Sequence, residues 1–350
     1  MTGQSDGGRE ALLLLGMHRS GTSALALAYQ QLGWELGRDL LAAKPEINQY
    51  GFGENRQVVD FNDRLLVSYD RQWFQQRPLP TGWHEQTQAQ ALIDEAAAII
   101  DDQYAGLQRF LIKDPRLCLT LPIWLQSLQD LNIRPRIILA LRHPESVARS
   151  IEQRDRLPVQ VGYLLWLQYY LHAARDSEQC ERRVIRYEDL LHLGAPALRV
   201  FDDIEIPDDM DCGLDPALCH HAAAEYSQSG PIVDLCERTL AAFAVLANTG
   251  STPANLPDPE GLLAGVGLAT LAEVLDQVLA GLVSLSGETV DIGALHSHAL
   301  QVIAEKDAQL ADKNTEIADS LDRLAGRAQE LLELRSQFVY RVLRKLRLLR

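Results

Sequence analysis

The chain has 350 residues, 47% of them hydrophobic and 23% charged, which is enough for one substantial core and a small second module. Its formal net charge is −15, so the body as a whole repels polyanions, and nucleic acid is not expected as a partner. Five cysteines with no CxxC pair and no zinc-ligand spacing read as reduced thiols of a cytoplasmic protein.

The polar start, MTGQSDGGRE, leads into an apolar run at Leu12–Leu15 that is too short for a secretory leader. Strand-length apolar runs follow one another at Ala11–Leu15, Phe110–Ile112, Ile137–Leu141 and Val184–Ile185. Helix-period segments lie between and beside them, around 22–33, 54–68, 88–104, 120–131, 144–154 and 160–176. Strands alternating with helices predict an α/β fold with a parallel sheet flanked by helices. Ligands of such sheets bind at the carboxyl ends of the strands, and there the sequence places GMHRSGTS, KDPR and RHPES. Beyond Pro207 the pattern weakens into helical pieces, with a loop or linker expected at 250–261. The tract Leu268–Leu285 is interrupted by Glu273 and Asp276 and falls short of the roughly 20 clean residues of a membrane span. Residues 1–290 therefore read as one α/β domain.

From about residue 296 apolar side chains recur every seven positions, at Ile303, Leu310, Ile317, Leu324, Leu331 and Phe338. This predicts a coiled-coil helix over 296–350 that either pairs with a second copy or folds back on the body. The other seam, Asp307, Asn314, Leu321 and Ala328, is polar in its first half and weakens that pairing. The last sixteen residues, RSQFVYRVLRKLRLLR, carry six basic side chains and no acid. Such a tail suits peripheral contact with an anionic membrane surface or an acidic partner, as well as a plain solvated helix end.

The loop Gly16–Ser23 joins a buried strand to a helix, so its backbone N–H groups can face an anion with the helix dipole behind them. A nucleotide-hydrolysing loop reads G-x-x-x-x-G-K-[ST], but here Thr22 stands where the lysine belongs. The cation is Arg19, inside the loop. His18-Arg19-Ser20-Gly21-Thr22-Ser23 resembles the first motif, [PH]-[KR]-S-G-T-[ST], of sulfotransferases that use 3′-phosphoadenosine 5′-phosphosulfate (PAPS). The segment RIILALRHPESVARSI resembles that family's 3′-phosphate site, an arginine ending a strand and a serine eight residues on. Arg142 and Ser150 have that spacing.

The resemblance spans about residues 11–191 and is nearest to bacterial and glycan sulfotransferases, since the R-K-G loop of the small-molecule branch is absent from the sequence. It implies a sulfuryl transfer from PAPS to a hydroxyl, with a saccharide or glycolipid as acceptor and no metal. It implies Glu54 as base, Arg19 and Lys113 as electrostatic stabilisers, and a donor site made of His18, Arg19, Ser20, Gly21, Thr22, Ser23, Arg142 and Ser150. Tyr187, in VIRYEDLL, resembles a tyrosine that lies near the adenine. Glu188 and Asp189 equally suit a helix start, and Glu54 equally suits a helix N-terminus. His84 and the His220–His221 pair are alternative bases. Asp114 ends an apolar strand and fits the magnesium acid of a nucleotide kinase or NTPase, whereas Arg116 reads best as its ion-pair partner. Trp73, Trp83 and Tyr69 supply aromatic faces that either stack on sugars or pack. A non-catalytic coiled-coil adaptor with a vestigial nucleotide fold is the remaining alternative.

Overall fold

The computed structural model describes residues 8–42, 51–75, 78–80, 82–207, 209–212, 231–249 and 256. The heptad segment, the basic tail, and His220 and His221 lie outside the described residues. A four-stranded, fully parallel sheet has the order β2-β1-β3-β4, formed by β1 (Glu10–Leu15), β2 (Arg109–Lys113), β3 (Arg134–Leu141) and β4 (Glu181–Arg186). Both faces are covered: Ala11 to Leu15 are all fully buried, as expected of a central strand that presents alternate residues to two helical layers. On one face Leu12 and Leu14 pack with Leu25, Ala26 and Tyr29 of α1 (Thr22–Gln31) and with Ile185 and Leu190. On the other, α4 (Leu117–Asp130) packs on β1 and β3 and against α6 (Val159–Asp176).

Four further helices complete the described body: α2 (Arg56–Ser68), α3 (Ala89–Gln103), α5 (Pro144–Asp155) and α7 (Tyr187–Leu193), with α8 (Pro231–Thr249) lying against α6 and β4. Helices α5 and α6 approach closely because Gly162 has no side chain; a Cβ there would come within 2.6 Å of Ala148 Cα.

Several elements are longer than their apolar patterns predict, β3, β4 and α4 each by three residues at the start. Strand β4 extends back to Glu181 through Arg182 and Arg183, whose charges hide the strand pattern. Buried Arg182 donates internally from Nη1, to the Ala174 carbonyl at 2.5 Å and to Ser177 Oγ at 3.2 Å. Helix α4 starts at Leu117, three residues early, because the KDPR turn winds directly into it through Leu117 N to Asp114 O and Cys118 N to Pro115 O. Pro122 therefore sits inside the helix and not at its start.

Since neighbouring parallel strands end together, the loops after β1, β2 and β3 share one edge of the sheet. No helix among the described residues is long and apolar enough to cross a membrane.

Candidate functional site

The loop after β1 is pressed flat against β3. A Cβ on Gly16 would lie 2.8 Å from the Ala140 carbonyl oxygen and 2.9 Å from Thr22 Cγ2. From there the chain turns sharply: Arg19 (φ 69°) and Gly21 (φ 84°) both adopt the left-handed conformation within three residues. Such a turn makes the backbone concave and directs N–H groups inward. Helix α1 then begins with no side-chain cap and no acid in its first turn, whereas α2 is capped by Asn55 and α5 by His143. The positive end of α1 is thus left facing the loop.

Two clusters flank this loop. In the first, Arg142 donates from Nη1 to the Arg19 carbonyl at 2.8 Å, and Arg19 donates from Nε to Ser150 Oγ at 2.8 Å. The Arg142 guanidinium also lies 4.6 Å over the Tyr187 ring, and that ring in turn packs on Gly21, where an added Cβ would be 2.3 Å from Cδ2. Burial, then the neighbouring charges of Arg154 and Arg142, lower the Arg19 pKa. A guanidinium cannot escape by deprotonating, so an anion beside it relieves both the desolvation and the repulsion.

In the second cluster Lys113, at the end of β2, donates from Nζ to Glu54 Oε1 at 2.5 Å and reaches Ser23 Oγ at 3.4 Å. Both charged groups are buried, Lys113 being 3% and Glu54 8% exposed. Glu54 does not cap α2; Asn55 does, leaving the Glu54 carboxylate to turn toward the strand end. A cation and a carboxylate that can hold or take a proton therefore stand together next to a hydroxyl of α1.

The loop's own side chains divide. Ser20 is fully buried, its Oγ 2.9 Å from the Tyr170 hydroxyl, which also bonds the Ala140 carbonyl. Its hydroxyl thus faces the core, leaving backbone for a ligand. Thr22 is 4% exposed, with its methyl against Gly16. The His18 ring packs tilted against Trp73, with centroids 4.5 Å apart and planes at 52°, and stands 6.1 Å from Tyr169. Its Nε2 is covered and has no protein partner. Burial, then the charges of Arg116, Arg154, Lys113 and Arg19, push its pKa well below the ordinary histidine value.

The remaining sequence candidates are placed as follows. Buried Asp114 accepts from Asn62 Nδ2 at 2.8 Å and from Arg116 Nη1 at 3.0 Å, while Arg116 also pairs with Asp63 at 2.5 Å. Glu188 accepts from the backbone N–H of His143 at 3.0 Å, tying α7 to the loop after β3. Trp83 is buried against Tyr69 and sits with His84 in a 3₁₀ turn, whereas Trp73 borders the site beside His18. Sequence reasoning missed Arg154, whose guanidinium lies 5.6 Å over Trp73. Its position four residues after Ser150, hence on the same helix face, was the available signal. Tyr170 had no local signal at all.

No family model and no curated protein matches the chain. The solved structures similar to it include two sulfotransferase domains. One is the sulfotransferase domain from the Synechococcus PCC 7002 olefin synthase, with 18% identity, a TM-score of 0.35, and 79% of this chain and 98% of that one covered. The other is the sulfotransferase domain from the curacin biosynthetic pathway, with 15% identity, a TM-score of 0.33, and coverages of 73% and 96%.

Proposed function

We propose that the chain is a sulfotransferase that moves a sulfuryl group from PAPS to a hydroxyl. The supporting observation is the pair of clusters on either side of one uncapped helix N-terminus: Arg142, Arg19 and Ser150 on one side, Lys113, Glu54 and Ser23 on the other. A nucleotide with anions at both its 3′ and 5′ ends suits that arrangement better than one with a single phosphate chain. On this reading Arg142 and Ser150 hold the 3′-phosphate as the motif implies, and Arg19, bonded to Ser150 Oγ, joins them there in place of the role beside the transferred group that the resemblance implied for it. The loop backbone from Ser20 to Ser23, with the Ser23 hydroxyl, holds the 5′ end. Tyr187 supports Gly21 and Arg142 and borders the adenine.

The residues then divide the chemistry. Lys113 stabilises charge that develops on the transferred group and on the leaving phosphate. Glu54, held in place by Lys113, accepts the proton that the hydroxyl loses as its oxygen attacks sulfur and the bond from sulfur to the 5′-phosphate oxygen breaks. We take the acceptor to be a saccharide or glycolipid, on the motif resemblance together with the basic tail. Cytoplasmic location, pairing through the heptad segment and membrane contact through the tail belong to the same reading.

A kinase or NTPase fits less well, because Thr22 replaces the loop lysine and Asp114 is committed to Asn62 and Arg116. Titration with adenosine 3′,5′-bisphosphate and with ATP tests the reading. The bisphosphate should bind at least tenfold tighter, and labelled PAPS should transfer its sulfuryl to hydroxyl acceptors. Equal weak binding of both nucleotides would defeat the reading, and a chain lacking 296–350 should keep basal transfer if the body is the enzyme.

A further inference from the structure

The cationic groups of the site surround one histidine. His18 follows the strand and precedes Arg19, and its ring is clamped by Trp73 and faces Tyr169 of α6. Charges reach it from every surrounding element: Arg19 from its own loop, Lys113 from the end of β2, Arg116 from the start of α4, and Arg154 from α5. The nearby acids are already committed, Glu54 to Lys113, Asp63 and Asp114 to Arg116, and Asp155 to Arg154. The covered His18 Nε2 has no hydrogen-bond partner and stands amid four cations beside the loop, whereas buried polar atoms are usually satisfied.

We propose that His18 is a proton-linked anion-binding residue: it is neutral in the free protein and takes a proton from solvent when an anionic nucleotide settles against Arg19 and Lys113. The physical cause is the burial of the ring and then the sign of the local field. With the site free, burial and then the four cations oppose a further positive charge. A nucleotide carrying several negative charges reverses that field, and the imidazolium then adds a cation facing it. When the anion leaves, the cations again dominate and the proton returns to solvent. The inference rests on the proposed function only in that this reading puts a polyanion in the loop.

Binding would then be tightest at low pH. It would weaken, by up to about tenfold per pH unit, as pH rises through the bound-state value of His18. The experiment is calorimetric titration of the full chain with adenosine 3′,5′-bisphosphate at about pH 6.5, in buffers of different ionisation enthalpy, for wild type and His18→Gln. The nucleotide's own proton changes are common to both proteins. Wild type should take up more protons than the variant, and the pH dependence of its affinity should be steeper.

A second reading needs no variant: with histidines labelled at Cε1, one imidazole resonance of the wild-type chain should move from neutral to protonated as the bisphosphate is added. Equal proton uptake by both proteins, or no histidine changing its protonation, overturns the inference. If ATP binds as tightly as the bisphosphate and His18 still takes up a proton, the sulfuryl reading falls and this inference stands. If neither nucleotide binds, both fall.

Discussion

The Lys113–Glu54 pair allows a quantitative test. At 2.5 Å, with an effective dielectric of about 20, the gross attraction is about 7 kcal/mol. Desolvation of both groups takes most of this back, so the pair itself contributes little net stability. Removing one partner is different, because it leaves the other charge buried and alone. Lys113→Met keeps an unbranched apolar stem without the ammonium and strands the Glu54 carboxylate at 8% exposure. The expected cost is about 3–5 kcal/mol, which at a typical urea slope is a midpoint shift of about 1–2 M. Glu54→Gln strands Lys113 in turn. The double variant Lys113→Met/Glu54→Gln should be more stable than the sum of the single losses by about 2 kcal/mol or more, since neither charge is then orphaned. Urea unfolding of the four proteins closes the cycle. Single-variant losses that add within about 0.5 kcal/mol would refute the reasoning, because independent sites behave in that way. All three variants should also lose sulfuryl transfer, since the same pair serves the proposed chemistry.

Gly21→Ala combines a left-handed backbone with a methyl placed 2.3 Å from the Tyr187 ring. It should cost about 1–2 kcal/mol from the backbone alone and displace the ring from beneath Arg142, and nucleotide titration should show at least a tenfold weaker affinity. Ser150→Ala removes the hydroxyl that orients Arg19. Affinity for adenosine 3′,5′-bisphosphate should fall about 5–10-fold while ATP binding stays unchanged, a loss of about 1–1.5 kcal/mol. Buried His172 has its pKa pushed down to about 3 by burial and then by Arg175. Above about pH 6.5 neither the folded nor the unfolded chain protonates it. As pH falls toward 3 the unfolded chain binds a proton that the native one refuses, so up to about 1.4 kcal/mol of stability is lost per pH unit. Stability curves should show that acid limb, and His172→Gln should flatten it.

Much of the architecture was legible because it repeats locally. Leu12–Leu15, Ile137–Leu141 and the helix-period segments between them announce alternating strands and helices. The geometry of parallel sheets then puts GMHRSGTS, KDPR and RHPES on one edge. The spacing of Arg142 and Ser150 pointed to a common ligand, and the structure brings both to Arg19. Where a residue's fate depends on an element far away in the chain, local pattern was silent. Nothing near Ser20 indicates that Tyr170, 150 residues on, takes its hydroxyl into the core. Nothing near Trp73 indicates that its ring meets His18.

The residue periods and the positions of glycine and proline, read alone, determined that this chain builds a parallel α/β sheet with a sharp glycine-containing turn between its first strand and first helix. Tertiary structure alone decided which side chains share that edge: Glu54 with Lys113, Arg19 with Ser150, and His18 amid four cations. The physical reason is that backbone conformation follows from neighbours a few residues away, whereas burial, charge compensation and ring packing depend on whatever other elements fill the same few ångströms.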